Sequence, residues 1–291
     1  MRTQGQRCLR TAAGCVSVVL LAGLAAARPP FRVERNVTFL EPHRTEKADL
    51  YIPDAVQPGS TVPAIVVIHG GGWRVGDKAS PREVSISSQL AGQGYIVMSI
   101  NYLLTGDTLA SFPTNIQDCK QAVRWLRKNA ATYSIDPDHI GAVGSSAGGH
   151  LAALLATSGP EIGLDPDTDT AYSCRIQAVV LMYPHCASSW ERGDPPVMYN
   201  NLTMFESSRT TDPDLWYSGL PANHLTADDP PVQIFHGTAD QTTPMYQSTR
   251  FQEEALSVGV PCGLVQVEGA EHGFDFVPEQ QDLRPTVRSE E

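Results

Sequence analysis

Two kinds of apolar pattern follow one another along the chain, and their order predicts the architecture. Residues Val33–Leu40 and Lys47–Pro53 alternate apolar and polar positions, the period of half-exposed strands, and predict an antiparallel edge pair. The pattern then changes. Pro63–His69, Tyr95–Asn101, Ala178–Pro184, Pro231–His236 and Gly263–Glu268 are nearly continuous apolar runs, as strands buried on both faces should be, and His139–Gly144 is a shorter run of the same character. Thr114–Ala130 is apolar at helical spacing, Leu151–Ala156 is strongly helix-forming, and a further helix is predicted over Met245–Val258. Strands that alternate with helices predict an α/β fold with helices on both faces of a mostly parallel, eight-stranded sheet whose N-terminal edge is antiparallel.

Two stretches stand outside this pattern. Residues 1–27 combine a basic start (Arg2, Arg7, Arg10), an apolar run from Val16 to Leu24 and Ala25-Ala26-Ala27, the form of a cleavable signal peptide. Such a leader implies a secreted or periplasmic protein, with residues 28–291 as a single domain, and its apolar run is short of the ~20 residues that a stable membrane anchor needs. From about 187 to 229 the chain is polar, Pro-rich and aperiodic. An irregular insertion of that length at the C-terminal end of a strand is expected to act as a loop or partial lid over a site. Its aromatics Trp190, Trp216 and Tyr217 are candidate pocket walls, or else they pin the insertion to the core.

Charge and cysteines narrow the partners. The formal net charge is −11, of which the three leader arginines contribute +3, so the remainder carries −14, which argues against nucleic acid and anionic membranes. Beyond the leader stand Cys119, Cys174, Cys186 and Cys262. Cys119 falls on the apolar helix face with Ile116, Ala122, Val123 and Leu126 and reads as a buried thiol. Cys174 and Cys262 each precede a predicted strand and are candidates for a disulfide. Asp165-Pro-Asp-Thr-Asp imitates the start of a calcium loop, but Thr170 and Ile176 stand where Gly and Glu are needed, so no metal site is assigned. Asn36-Val-Thr and Asn201-Leu-Thr match the glycosylation acceptor pattern.

The candidate chemistry centres on Gly144-Ser-Ser-Ala-Gly-Gly-His150, a serine between glycines at a strand-to-helix junction. A sharp turn there would lift the Ser146 hydroxyl out of the sheet edge, and the turn leaves no room for side chains at the flanking positions. A serine hydroxyl needs a base. His272, on a glycine-flanked loop after the last strand, is the best of the eight histidines; His69 and His236 close strands but are followed directly by glycine-bearing turns. Asp240 follows a strand end and precedes His272, the order expected of an orienting acid, with a turn-capping aspartate as the plainer reading. His69-Gly70-Gly71-Gly72-Trp73 follows a buried strand, and its glycines let backbone N–H groups approach a developing oxyanion, together with that of Ala147.

These motifs resemble an α/β-hydrolase. The resemblance is to the branch that includes hormone-sensitive-lipase-like esterases, closest to bacterial feruloyl and acetyl carbohydrate esterases. It is carried by His69–Lys78, Phe112-Pro113, Asp118–Leu126, Ile135-Asp-Pro-Asp, Gly144–Leu151, His236–Asp240 and Gly269–Phe274, and spans about 33–276. It implies the triad Ser146, Asp240 and His272, an oxyanion hole from Gly71, Gly72 and Ala147, Trp73 beside the pocket, and no metal or organic cofactor. The implied substrates are small or oligosaccharide esters. An arylformamidase-like or lipase-like hydrolase would use the same machinery, and from another class the fold also serves as an inactive interaction module, which typically lacks a triad residue. The chain departs from its relatives at Leu103, where Arg is frequent, at Ser145, where the lipase-like branch often has Asp, and in a short polar tail beyond Phe276.

Overall fold

The computed structural model describes residues 31–275, except 55, 58, 107–108, 187–203 and 206–211. The leader, Trp190, most of the proposed insertion and the polar tail lie outside the described residues.

Eight strands form one sheet: β1 (Phe31–Val37), β2 (Ala48–Pro53), β3 (Val62–Ile68), β4 (Ile96–Ile100), β5 (Ile135–Ser145), β6 (Ala178–Met182), β7 (Val232–Gly237) and β8 (Cys262–Val267). Their order is β1-β2-β4-β3-β5-β6-β7-β8. The β1–β2 and β2–β4 pairs are antiparallel and the rest parallel, as the change from alternating to continuous apolar runs predicts. β5 is longer than its apolar run: it begins at Ile135, pairs there with Val62, and passes an irregular stretch before the regular register resumes.

The helices are α1 (Pro81–Gly92), α2 (Thr114–Lys128), α3 (Ala130–Tyr133), α4 (Ala147–Thr157), α5 (Pro213–Ser218) and α6 (Tyr246–Ser257). The sequence pattern did not predict α1. Its apolar positions are sparse, and Glu83 and Ser87 are among the residues it buries. Side chains on the two sheet faces separate by parity: Ala64, Val66, Ile68, Ile96, Met98 and Ile100 join one core with α2 and α4, whereas Val67 and Val97 pack with Ala91 of α1. α4 is buried along its whole length, which explains why Leu151–Ala156 shows no polar face. No helix among the described residues is long and apolar enough to cross a membrane.

Cys174 and Cys262 are both free thiols, against the expected disulfide. Cys262 opens β8, and β7 separates that strand from β6, which Cys174 precedes. Two strand spacings of about 4.8 Å exceed the ~7 Å that a disulfide can bridge. Cys119 is fully buried, as its helix face requires. Two of the three aspartates of the calcium-like stretch are held by cations: Asp165 pairs with Lys120 (2.6 Å) and Arg124 (2.8 Å), and Asp169 with Lys128 (2.6 Å).

The parallel strands finish together. Ile68 pairs with Gly144, Ser145 with Met182, Met182 with Phe235, and Gly237 with Val267. The loops after β3, β5, β6, β7 and β8 therefore emerge along one edge, the edge where open α/β sheets hold their ligands.

Candidate active site

Ser146 sits between the end of β5 and the start of α4 with φ 53° and ψ −118°, a conformation that a side-chain-bearing residue occupies only under local constraint. The constraint is visible on both sides. The Ser146 N–H donates to the Met182 carbonyl (2.9 Å) and its own carbonyl accepts from the His150 N–H (2.9 Å). A Cβ on Gly144 would collide with the Gly148 carbonyl, and one on Gly148 with the carbonyls of Ile68 and His69. The two flanking glycines are thus demanded by close backbone approach.

Three side chains from three loops converge. The Ser146 hydroxyl lies 2.9 Å from His272 Nε2, and His272 Nδ1 lies 2.7 Å from Asp240 Oδ2. Donation from Nδ1–H to the carboxylate leaves the Nε2 lone pair facing the serine hydroxyl, the tautomer a general base needs. Asp240 also accepts the N–H groups of Thr242 and Thr243 on Oδ1, each at 2.8 Å. Burial works against its charge, but His236, His272 and the Thr243 amide prevail and hold the carboxyl well below the usual carboxylate range.

The turn after β3 reaches the same place. A Cβ on Gly70 would come within 3.3 Å of the Ser146 Cβ. Gly71 (φ 117°) and Gly72 (φ 60°) follow, and a side chain on Gly71 would strike the Val75 carbonyl. Ala147 is the first residue of α4, so its N–H has no carbonyl four residues back to bind. The candidate donors of an oxyanion site therefore flank the serine from two loops. Among the described residues, no group of three His, Cys, Asp or Glu is arranged to hold a metal ion.

The candidate wall residues are placed differently from one another. Trp73 is buried, its ring edge-on to His150 (5.3 Å between centroids) and 5.7 Å from His185. Trp216 is buried against Phe205 (4.4 Å), which in turn meets Phe112 (5.0 Å), so it ties α5 to the core. Tyr217 is 58% exposed, with its ring 6.1 Å from that of His224.

Three further histidines support the site: His236 and His69, set aside as bases from the sequence, and His150, given no role from the sequence. His236 is fully buried, with Nε2 2.7 Å from the Thr243 carbonyl and Nδ1 2.6 Å from Ser248 Oγ. Its position four residues before Asp240 on one tight turn was the available signal. His150, one turn into α4, has Nε2 2.7 Å from the Gly219 carbonyl, and burial pushes its pKa down to about 4. His69 stacks on Tyr102 at 4.3 Å, while the Tyr102 hydroxyl donates to the His69 carbonyl (2.9 Å) and fixes the start of the glycine turn.

The chain is similar to known esterases. Esterase LipQ of Mycobacterium tuberculosis is 30% identical over 249 residues, covering 84% of this chain and 56% of LipQ. The chain thus spans little more than half the length of the curated relatives it matches. Among solved structures, a truncated carbohydrate esterase from gut microbiota superposes with a TM-score of 0.70 at 26% identity, covering 86% of this chain and 91% of that one. Esterase 2 of Thermogutta terrifontis, phosphonylated by sarin, gives 0.71 at 30% identity, covering 85% and 87%; the same esterase with butyrate bound gives 0.68 at 31%, covering 85% and 86%. The family described as BD-FAE matches residues 48–255, the span that carries Ser146 and Asp240 and stops short of His272, and the chain belongs to that family.

Proposed function

We infer that the chain is a serine carboxylic ester hydrolase acting through an acyl-enzyme. The observation that carries this reading is the continuous contact Ser146–His272–Asp240, at 2.9 and 2.7 Å. In the forward step Ser146 Oγ bonds to the ester carbonyl carbon as His272 Nε2 takes the hydroxyl proton. The carbonyl oxygen, now negative, is met by the N–H groups of Gly71, Gly72 and Ala147, and Asp240 stabilises the imidazolium. When the carbon–oxygen bond to the alcohol breaks, His272 returns the proton to the leaving alkoxide. Water then repeats the sequence on the acyl-serine: its proton goes to His272, the acid departs, and Ser146 is regenerated.

The substrate reading is short acyl or aryl esters, including acetyl or feruloyl groups borne on plant polysaccharide. Support comes from the butyrate-bound and carbohydrate esterase relatives and from the leader-like first 27 residues, which fit a secreted or periplasmic enzyme. Turnover of short-chain aryl esters tests the reaction class. Ser146→Ala is expected to lower kcat by at least ~10⁴-fold, as loss of a nucleophile does elsewhere, and retention of most of the parent rate would refute the assignment. A panel of acetylated and feruloylated oligosaccharides beside simple esters of graded acyl length tests the substrate class; a kcat/KM no higher on the saccharides would refute the polysaccharide reading.

A further inference from the structure

The loop that carries His272 is fastened at two places. Ahead of the histidine, the Gly269 N–H donates to Thr238 Oγ1 (2.9 Å) and the Ala239 N–H to the Ala270 carbonyl (3.0 Å), which ties this loop to the turn bearing Asp240. Behind it, Asp275 is held from two sides. The Tyr183 hydroxyl donates to Asp275 Oδ1 (2.6 Å), and Arg82 Nε forms an ion pair with Oδ2 (3.2 Å).

Tyr183 is an unusual residue to find there. It is fully buried with φ 40°, its ring meets that of His272 edge-on at 4.6 Å, and the Arg82 guanidinium carbon lies 5.8 Å from the ring centre. Its N–H donates to the Phe235 carbonyl (2.8 Å), and the preceding Met182 carbonyl accepts the Ser146 N–H (2.9 Å). The tyrosine is thus anchored to the same strand end that fixes the nucleophile. Arg82 also borders a cavity of about 220 Å³ shared with His69, Gly70 and Gly71 of the glycine turn. Side chains from α1 and from the residue after β6 therefore meet on one carboxylate three residues after the histidine.

We propose that Arg82, Asp275 and Tyr183 form a clamp that sets the position of His272 against Ser146, as positioning residues for ester hydrolysis. The proposal rests on the catalytic reading above. On one side the imidazole is directed by Asp240; on the other this clamp holds the loop, with the Tyr183 ring against both His272 (4.6 Å) and Phe274 (5.7 Å). A base displaced by about 1 Å from its nucleophile costs up to ~10²-fold in rate, so the clamp acts on kcat and leaves the binding of substrate to other groups.

The full-length chain is compared with Asp275→Asn, Tyr183→Phe, Arg82→Gln and Arg82→Lys. The readouts are kcat and KM on a p-nitrophenyl ester, the rate of fluorophosphonate labelling at Ser146, and Tm. The Asp275 and Arg82 side chains are 15% and 22% exposed, and Asp275→Asn and Arg82→Lys nearly keep their size, so Tm is read beside kcat to separate positioning from loss of stability. Asp275→Asn is expected to lower kcat and the labelling rate together by about 10- to 100-fold, with KM and Tm little changed. Arg82→Lys should retain more activity than Arg82→Gln, and the Tyr183→Phe/Asp275→Asn pair should be no worse than the worse single variant. Parental kcat in Asp275→Asn, fully additive losses in the pair, or a kcat loss matched by collapse of Tm would each overturn the clamp while leaving the esterase reading in place. A parent chain with neither turnover nor labelling would overturn both.

Discussion

His236 and His272 approach the same oxygen of Asp240, His272 Nδ1 at 2.7 Å and His236 Nε2 at 3.3 Å from Oδ2. The carboxylate is thereby held between a histidine that faces the nucleophile and one buried beneath the turn. The buried one is itself fixed by Ser248 and the Thr243 carbonyl, so the orienting acid has its own rigid support.

That support predicts a graded effect. Asp240→Asn removes the acceptor that sets the His272 tautomer and should lower kcat by ~10⁴-fold, on the scale seen when a triad aspartate is so replaced. His236→Ala leaves the acid in place but takes away its buried partner. A smaller loss, about 10-fold in kcat/KM, is expected with destabilisation of about 2–4 kcal/mol. Steady-state kinetics and urea unfolding of the two variants check the order, and equal kinetic losses would show that His236 does more than support.

His150 should make the fold sensitive to acid. Burial lowers its pKa from 6.5 to about 4, so between those values the unfolded chain binds a proton that the folded chain refuses. This contribution to stability is complete above pH 6.5 and is lost progressively as the pH falls toward 4, amounting to about 3 kcal/mol at the limit. Other groups titrate in the same range, so the comparison to make is with His150→Gln, whose amide can still donate to Gly219. Its unfolding free energy should fall less between pH 7 and 4.5 than the parent's. Parallel curves would contradict the assignment.

Gly148→Ala probes the turn itself. The added methyl would meet the Ile68 and His69 carbonyls at the end of β3, which are backbone and cannot rotate aside. Destabilisation of at least about 2–3 kcal/mol is expected, together with loss of activity, because the same shift moves the glycine turn relative to Ser146. A Tm equal to the parent's would show that the elbow has more room than its contacts indicate. Gly163→Ala serves as a control: it meets open space and should cost only the strain of its φ of 75°.

The fold and the three side chains that meet at its edge, Ser146, Asp240 and His272, were legible along the chain because each rests on local pattern. Continuous apolar runs mark strands covered on both faces, alternation marks the antiparallel edge, and a serine between glycines marks a turn in which Gly144 and Gly148 have no room for a side chain. That the loops bearing Ser146, Asp240 and His272 meet follows from strands that all end at one edge. Helix α1 escaped because its buried face includes Glu83 and Ser87 in place of an apolar stripe, and the expected Cys174–Cys262 bond failed because pairing depends on which strand lies between them. Only tertiary structure could decide that His236 lies under Asp240, that Trp216 packs on Phe205, and that Arg82 and Tyr183 meet on Asp275. The last of these joins residues far apart in sequence, and the geometry of all three is set by strand order and packing, which no local pattern records.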